Sequence, residues 1–511
     1  MSKAQPHGAA LILAAALALV PHPPAMAAPS VLGPQGTLTG LDTPDGGATF
    51  LGVPYAAPPE GDLRWRAPQP PAAWSGARAA SKNPPSCPQS DYGAWNADDA
   101  ARGREDCLYL NIHTPQLDPA ARLPVMVWIH GGGNRGGSMR GIVASSLAGK
   151  GVVLVAIQYR LAALGFMAHP ALAAETPGHT AGDYGLMDQI AALRWVHANI
   201  ARFGGDPDNI TIFGQSAGAQ DVGLLNLAPA ARGLYAKAIE ESGTADFGMH
   251  PLTPAKAQAL GVLIAGKAGA PPNATAAQLR ALPLAALLAA PEQGPLPGFN
   301  DASYVWLGPV VDGDVLPRSP EAVLGAAAQA PIPLIIGVNA HELDMAWTNP
   351  ASEVREIYGP KAAGALAFYG LAPGAAPLAA DPLLGDVKAQ IATDYGFRCP
   401  AVHVAASQAR AGAPVWLYHY ERTPASGPLG HSSELASVFG GWPISPPGAA
   451  PAYALADYWA AFAKTGQPNA PGLPVWRRQT TDQHPYMAFT DQGPQAREAL
   501  RSLPCQLSDR F

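Results

Sequence analysis

Charged residues are scarce in this chain of 511 residues, which is 14% charged and 48% hydrophobic. The formal net charge is −6, so the basic excess that attracts nucleic acid is missing and nucleic acid is not an expected partner. Length alone would allow about three domains of roughly 150 residues. Because we find no break in composition, we expect a single domain over residues 28–511. The sequence gives no indication of oligomeric state.

A long uncharged apolar run is also missing. Residues 9–20 are apolar, but a helix that spans a membrane needs about 20 such residues, so no membrane span is expected. Lys3 precedes this run and the small-residue pattern Ala25-Met26-Ala27 follows it. That arrangement predicts a signal peptide over residues 1–27 and an exported protein, periplasmic or secreted, that starts at Ala28.

Cysteine is rare, with Cys87, Cys107, Cys399 and Cys505 as the four examples. An even number in an exported chain favours two disulfides, for which three pairings are possible. We favour a local bond between Cys87 and Cys107 and a long-range bond between Cys399 and Cys505. No Cys-x-x-Cys spacing occurs, so the cysteines do not indicate a metal site.

Apolar, β-branched runs alternate with a helical pattern over residues 185–203. Continuous apolar runs are typical of strands that are buried on both faces, so we expect a mostly parallel sheet flanked by helices. Two stretches rich in Ala, Pro and Leu predict helical insertions at 251–297 and 351–384, which either roof a pocket or only pack on the core. The expected strands are 125–130, 152–159, 210–213, 237–241, 332–338 and 415–420.

The most specific motif is Gly214-Gln215-Ser216-Ala217-Gly218, directly after the predicted strand 210–213. A strand, then Gly-x-Ser-x-Gly, then a helix is typical of a sharp turn that exposes a nucleophilic serine. The glycines leave room where side chains would collide with neighbouring backbone. A serine hydroxyl alone is a weak nucleophile, so Ser216 predicts a histidine, an acid and an oxyanion hole elsewhere. The alternative is a chance match in a chain with 55 glycines.

A glycine run, His130-Gly131-Gly132-Gly133, follows the predicted strand 125–130. Its unobstructed N–H groups are suited to bind the oxyanion of a tetrahedral intermediate, and we expect Gly132, Gly133 and Ala217 to donate. The alternative is a flexible turn.

The acid of an α/β-hydrolase follows the serine and precedes the histidine. Glu342 and Asp344, in the loop after the predicted strand 332–338, are both candidates for the acid.

Four histidines follow these acids: His403, His419, His431 and His484. His403 and His419 lie within a predicted helix and a predicted strand, and His484 lies in a polar segment near the end of the chain. His431 is favoured because it lies in a Gly- and Ser-rich loop after the strand 415–420, from which it can reach back over the sheet.

Together these motifs resemble the type-B carboxylesterase/lipase family, which includes bacterial para-nitrobenzyl-type esterases and cholinesterases. The resemblance runs from about Gly36 to the C-terminus. Its motifs are FLGVPYA at 50–56, LRW at 63–65, EDCLYLN at 105–111, VWIHGGG at 127–133, GLMDQ at 185–189, FGGDP at 203–207, ESG at 241–243 and GVN at 337–339.

The resemblance implies an α/β-hydrolase fold, in which helical insertions cover the active site, and hydrolysis of a small-molecule ester without metal or organic cofactor. It implies a triad of Ser216, Glu342 and His431, with Glu342 rather than Asp344 as the acid. It also implies an oxyanion hole of Gly132, Gly133 and Ala217, and the disulfides Cys87–Cys107 and Cys399–Cys505. The alternatives are an amide or carbamate hydrolase with the same triad, and a non-catalytic binding protein.

Three departures from the family bear on specificity. Gln215 stands before the nucleophile, where the family often has Glu. Trp95 lies in the first disulfide loop, but its spacing to Cys107 does not match the cation-binding Trp of cholinesterases. Residues 303–307 lack the paired phenylalanines that restrict the acyl pocket of those enzymes. We therefore expect neutral esters to be preferred to choline esters.

Overall fold

The structure is a computed structural model that describes Met1 and residues 28–246, 250–292, 307–344, 348–376, 378–423, 429–440 and 455–508. Residues 2–27 of the predicted signal peptide lie outside the described residues, as do residues 303–306 of the expected acyl-pocket segment. Within the described residues, no helix is both long enough and apolar enough to cross a bilayer.

The described chain contains fourteen strands. They are β1 (Ser30–Gly33), β2 (Gly36–Thr39), β3 (Leu41–Asp42), β4 (Ala48–Pro54), β5 (Ala77–Ala79), β6 (Tyr109–Thr114), β7 (Leu123–Ile129), β8 (Val153–Ile157), β9 (Gly205–Gln215), β10 (Lys237–Glu241), β11 (Leu334–Asn339), β12 (Val415–Tyr420), β13 (Pro485–Thr490) and β14 (Gly493–Glu498).

Eleven of these strands form one sheet in the order β14-β13-β12-β11-β10-β9-β7-β8-β6-β4-β3. The seven strands from β13 to β8 are parallel, whereas β14 and the strands from β6 to β3 add antiparallel edges. β1, β2 and β5 form a separate small sheet. The predicted mostly parallel sheet is thus confirmed, and its parallel strands end at a common edge.

The described chain contains sixteen α-helices. They are α1 (Ala97–Arg102), α2 (Ala162–Phe166), α3 (Pro170–Ala173), α4 (Tyr184–Asn199), α5 (Ala217–Leu227), α6 (Pro254–Lys267), α7 (Ala276–Arg280), α8 (Leu284–Ala289), α9 (Pro320–Gly325), α10 (Pro350–Tyr358), α11 (Ala362–Phe368), α12 (Val387–Thr393), α13 (Cys399–Arg410), α14 (Leu435–Phe439), α15 (Leu455–Thr465) and α16 (Ser502–Leu507).

The core lies on both faces of the sheet. Alternate residues of β7 divide between two apolar clusters: Val125 and Val127 belong to one, and Met126 and Trp128 to the other. Because successive strand residues point to opposite faces, both faces of β7 are covered. This explains why the central strands read as unbroken apolar runs rather than as alternating patterns.

The disulfides connect Cys87 with Cys107 and Cys399 with Cys505, with Cα separations of 5.0 and 4.8 Å. The first predicted insertion, 251–297, contains α6, α7 and α8, and the second, 351–384, contains α11 and most of α10. The first begins beside a cleft in which Leu252 is part of the lining.

Candidate active site

Ser216 occupies a sharp turn between β9 and α5. Its backbone has φ 58° and ψ −128°, a strained conformation for a residue with a side chain. The turn is held on both sides: the Ser216 N–H donates to the carbonyl of Glu241 in β10 at 2.8 Å, and the Ser216 carbonyl accepts from the N–H of Gln220 at 2.9 Å. The strand–turn–helix context predicted from the motif is therefore present.

Gly218 shows why the motif requires glycine. A Cβ at this position would lie 2.2 Å from the carbonyl oxygen of Ile129, and one at Gly214 would lie 2.6 Å from backbone atoms of Gly218. The start of α5 thus packs directly on the end of β7, which places Ser216 beside the glycine run that follows β7.

His431 and Glu342 are joined twice. The imidazole Nδ1 lies 2.6 Å from Oε2 of Glu342, and the backbone N–H of His431 donates to the Glu342 carbonyl at 2.8 Å. The Glu342 side chain is fully buried, and its Oε1 accepts from the N–H of Asn339 at 2.7 Å. Burial by itself lowers the pKa of His431, but the hydrogen bond and charge of Glu342 outweigh it, so the pKa is raised.

The other ring nitrogen of His431 faces the nucleophile turn. Nε2 lies 3.3 Å from the side-chain amide nitrogen of Gln215, the residue before Ser216. In this arrangement, the described side chains include no hydrogen bond between the Ser216 hydroxyl and His431. The structure thus brings His431 to the turn of Ser216, with Gln215 as its contact there.

Asp344 and the remaining histidines have other partners. Asp344 is 85% exposed and bonds His341 at 3.0 Å. His403 lies 2.9 Å from the carbonyl of Cys505, and His484 lies 3.4 Å from Gln479.

His419 is enclosed within β12. It bonds Glu421 at 2.8 Å, and its Nε2 lies 3.3 Å from Arg398. Burial lowers the pKa of His419 to about 4. These contacts agree with structural roles.

A second buried carboxyl group, Glu434, lies behind this pair and was missed by the sequence analysis. The amide of Asn339 donates to Glu434 at 2.6 Å and to the hydroxyl of Ser242 at 3.1 Å. Burial, together with the charge of Glu342, raises the pKa of Glu434 to about 7. Its place three residues after His431 was the only available signal.

The glycine run forms an open turn beside Ser216. A Cβ on Gly131 would lie 3.0 Å from Cβ of Ser216, and the Gly132 carbonyl accepts from the N–H of Gly136 at 3.1 Å. Within the described residues, the N–H groups of Gly132 and Gly133 donate no backbone hydrogen bond. Ala217 is the first residue of α5, where an N–H has no acceptor within the helix. All three N–H groups are therefore available to an oxyanion.

A cleft begins at this turn. Its apolar walls suit the hydrocarbon part of a substrate, whereas a few polar groups interrupt them. The lining residues are Gly133, Asn134, Gln220, His250, Leu252, Leu307, Gly308 and Pro309.

Trp95 lies at the edge of the same turn. Its Cη2 would be 3.4 Å from a Cβ placed on Gly132, and Trp95 as a whole is 54% exposed. Its ring stacks on Tyr92 with centroids 6.0 Å apart, and the guanidinium of Arg135 lies 4.3 Å from the Tyr92 centroid. Spacing along the sequence gave Trp95 little weight, but the structure places it beside the glycine turn.

One group of described side chains has the donor types of a metal site: Asp246, His250 and Glu321, whose ligand atoms lie within 4.8 Å of one another. Nδ1 of His250 lies 3.8 Å from Asp246, and the 2.9 Å contact between His250 and Glu321 already accounts for their proximity. Their hydrogen bond lowers the pKa of Glu321 to about 2.

Comparison with known proteins shows the family of the chain. The model of the carboxylesterase family matches residues 27–357 and 385–508. Liver carboxylesterase 1 of Mus musculus is 35% identical over 498 residues, with 87% of this chain and 86% of the relative covered. The fumonisin B1 esterase of Sphingopyxis macrogoltabida is 37% identical over 412 residues, with 76% and 71% covered.

A solved structure shares the fold. The carboxylesterase EST55 of Geobacillus stearothermophilus superposes with a TM-score of 0.78 at 31% identity, with 94% of this chain and 100% of that chain covered. The fold is therefore the α/β-hydrolase fold. The chain belongs to the carboxylesterase family and is a carboxylic ester hydrolase.

Proposed function

We propose that the chain is an exported serine carboxylesterase in which Ser216 is the nucleophile, His431 the general base and acid, and Glu342 the residue that orients His431. The observation that carries this proposal is the 2.6 Å contact between His431 Nδ1 and Glu342, beside the strained turn of Ser216. An imidazole held in this way keeps its proton on Nδ1, so that Nε2 is free to accept another.

Acylation begins when the Ser216 hydroxyl attacks the carbonyl carbon of the ester. Gln215 turns aside as substrate binds, and Nε2 of His431 accepts the hydroxyl proton. The carbonyl oxygen becomes an oxyanion, which the N–H groups of Gly132, Gly133 and Ala217 bind. When the carbon–oxygen bond to the alcohol breaks, His431 returns the proton to the leaving alkoxide, and the acyl group remains on Ser216.

Deacylation repeats these steps with water. His431 accepts a proton from the water molecule, the hydroxide attacks the acyl carbon, and the oxyanion occupies the same three N–H groups. Collapse of the intermediate releases the carboxylic acid, and the proton returns to the Ser216 oxygen. The cleft at Gly133 holds the acyl chain during both steps.

The test is Ser216→Ala in the mature protein, with exposed Ser352 changed to alanine as a matched control. We expect Ser216→Ala to lose at least about four orders of magnitude in kcat while it stays folded, and Ser352→Ala to match the wild type. When the wild-type enzyme has reacted with an ester that deacylates slowly, mass spectrometry of its peptides should find the acyl group on Ser216. Retention of a tenth of the activity by Ser216→Ala would reject the assignment.

We also propose that residues 1–27 are removed on export and that 28–511 form a single domain. The two disulfides support export, because such bonds persist in oxidising compartments. N-terminal sequencing of the secreted or periplasmic protein should begin at Ala28, and a chain that retains residues 1–27 would contradict the proposal. Limited proteolysis should yield no two independently stable halves.

A further inference from the structure

Asn134, the residue directly after the glycine run, is almost fully enclosed. It is 2% exposed, and its backbone has φ 54°. Its amide nitrogen donates to Oδ1 of Asp221 at 3.0 Å, its Oδ1 lies 3.0 Å from the Tyr159 hydroxyl, and its carbonyl accepts from the N–H of Ala162 at 2.7 Å. The end of the turn is therefore fixed by side-chain and backbone contacts.

Asp221 lies in α5, five residues after Ser216, and is fully buried. Its second oxygen accepts from the side-chain amide of Gln189 in α4 at 2.6 Å. A buried carboxyl group is costly unless its oxygens are paired, and here both oxygens are bound by neutral amides. Burial raises the pKa of Asp221 to about 7.

Tyr159 holds the other end of the turn. Its hydroxyl lies 2.7 Å from the carbonyl of His130, and its ring stacks on the His130 imidazole with centroids 4.5 Å apart. The glycines from 131 to 133 thus run between two anchored residues, His130 and Asn134. Because Asp221 stands on the helix that begins with Ala217, the network joins the two separate parts of the oxyanion hole.

We propose that Asp221 is a positioning residue for ester hydrolysis, which acts through Asn134 to hold the turn 130–134 in register with the start of α5. In this role it keeps the N–H groups of Gly132, Gly133 and Ala217 directed at one point. The proposal rests on the proposed function, since it requires those N–H groups to bind the oxyanion. Tightly held donors are effective because they need no reorganisation as charge develops.

Because Asn134 donates and Asp221 accepts, exchanging the two side chains tests their contact. Asp221→Asn keeps the shape but directs an NH₂ group at one of two amide donors, Asn134 or Gln189. Asn134→Asp places a second carboxyl group against Asp221. The double variant, Asn134→Asp with Asp221→Asn, restores one donor and one acceptor across the contact, because the new amide at 221 donates to the new carboxylate at 134. The Tyr159 hydroxyl can still donate to an oxygen at 134, and the Gln189 amide can still donate to the oxygen at 221.

We expect each single variant to lose about 10- to 100-fold in kcat with KM changed less than about threefold, somewhat less than the loss of a whole oxyanion donor. A trifluoromethyl ketone, whose adduct with serine carries an oxyanion, should lose affinity in parallel. The double variant should recover at least about tenfold in both measurements. Ser407→Ala is the matched control. Ser407 lies on α13 and accepts a buried hydrogen bond from the Gln329 amide, so its loss should lower Tm without lowering kcat.

The proposal is overturned if the single variants lower Tm but keep kcat and ketone affinity, or if kcat falls and the exchange does not restore it. If Asp221→Asn fails to fold, Asn134→Leu tests the same link, and an unchanged kcat there also overturns the proposal. Ser216→Ala separates the two hypotheses: an active Ser216→Ala enzyme rejects the proposed function itself, whereas an inactive one leaves only the role of Asp221 in question.

Discussion

The side-chain amide of Gln215 lies 3.3 Å from Nε2 of His431, while Glu342 binds Nδ1 of the same ring. An amide N–H can donate to the lone pair of a neutral imidazole, but it brings no negative charge. In the proposed mechanism, the positive charge that His431 gains is therefore balanced by the buried carboxyl groups of Glu342 and Glu434 and not by the residue next to Ser216.

Gln215→Glu should move the acid limb of the pH profile to higher pH. A carboxylate at this distance stabilises the imidazolium and raises the pKa of His431 further. Because the neutral ring is the base in the proposed mechanism, activity is lost as pH falls through this pKa, which is already raised above its ordinary value in the wild type. The measurement is kcat/KM against pH for a neutral ester. Exposed Gln495→Glu is the control, and a shift to lower pH would contradict the expectation.

Glu342→Gln should cost far more activity than Asp344→Asn. Glu342 is buried against His431, whereas Asp344 is 85% exposed and bonds His341. A neutral amide at the acid position favours the wrong imidazole tautomer, and the comparable substitution in a serine protease costs about 10⁴-fold in kcat. We expect less than about a threefold change for Asp344→Asn. If Glu342→Gln retains some activity, the acid limb of its pH profile should lie at lower pH than that of the wild type, because the charge of Glu342, which raises the pKa of His431, is gone. Equal losses would reject Glu342 as the acid.

Local patterns predicted the elements better than the contacts between them. The strands Lys237–Glu241 and Val415–Tyr420 begin and end at the predicted residues, and every residue of both strands is buried. β9 is longer than its predicted four residues, since the polar stretch from Gly205 also pairs beside β7.

In the candidate site, too, local motifs were predicted and long-range contacts were not. Ser216 and the glycine run were found from motifs a few residues long. The contact of Gln215 with His431 joins positions 216 residues apart, and that of Asn134 with Asp221 joins positions 87 apart. No local periodicity encodes such pairs, because they arise only when the parallel strands end at one edge. Trp95 was undervalued for the same reason: its distance along the chain from Cys107 says little about where the loop folds.

Removal of the Cys399–Cys505 disulfide should destabilise the protein more than removal of Cys87–Cys107. The bonds close sequence separations of 106 and 20 residues, for which the chain-entropy account gives about 4.8 and 3.3 kcal/mol. The free energy of unfolding of the two double cysteine-to-alanine variants, measured in urea, checks this order. A larger loss from the shorter loop would contradict it. The denatured, non-reduced wild type should contain no free thiol.

The surroundings of Trp95 bear on the choice between neutral and cationic esters. A quaternary ammonium is held by aromatic faces and by negative charge. Trp95 and Tyr92 provide aromatic rings beside the glycine turn, but the Arg135 guanidinium lies 4.3 Å from the Tyr92 centroid. Glu292 accepts from the Tyr92 hydroxyl at 2.7 Å, yet it is exposed and its charge is screened by solvent. Gln215 adds no charge.

We therefore expect neutral aryl or alkyl esters with short to medium acyl chains to be hydrolysed with a higher kcat/KM than choline esters of the same acid. Arg135→Gln should raise kcat/KM for the choline ester about 5- to 10-fold relative to the neutral ester, because it removes a repulsion on the order of 1 kcal/mol between like charges several ångströms apart near the surface. The neutral isostere of choline, a 3,3-dimethylbutyl ester, is the matched substrate, since it has the same shape without the charge. Its own kcat/KM should change little in Arg135→Gln. A wild-type preference for choline over this isostere would show that Trp95 binds cations despite Arg135.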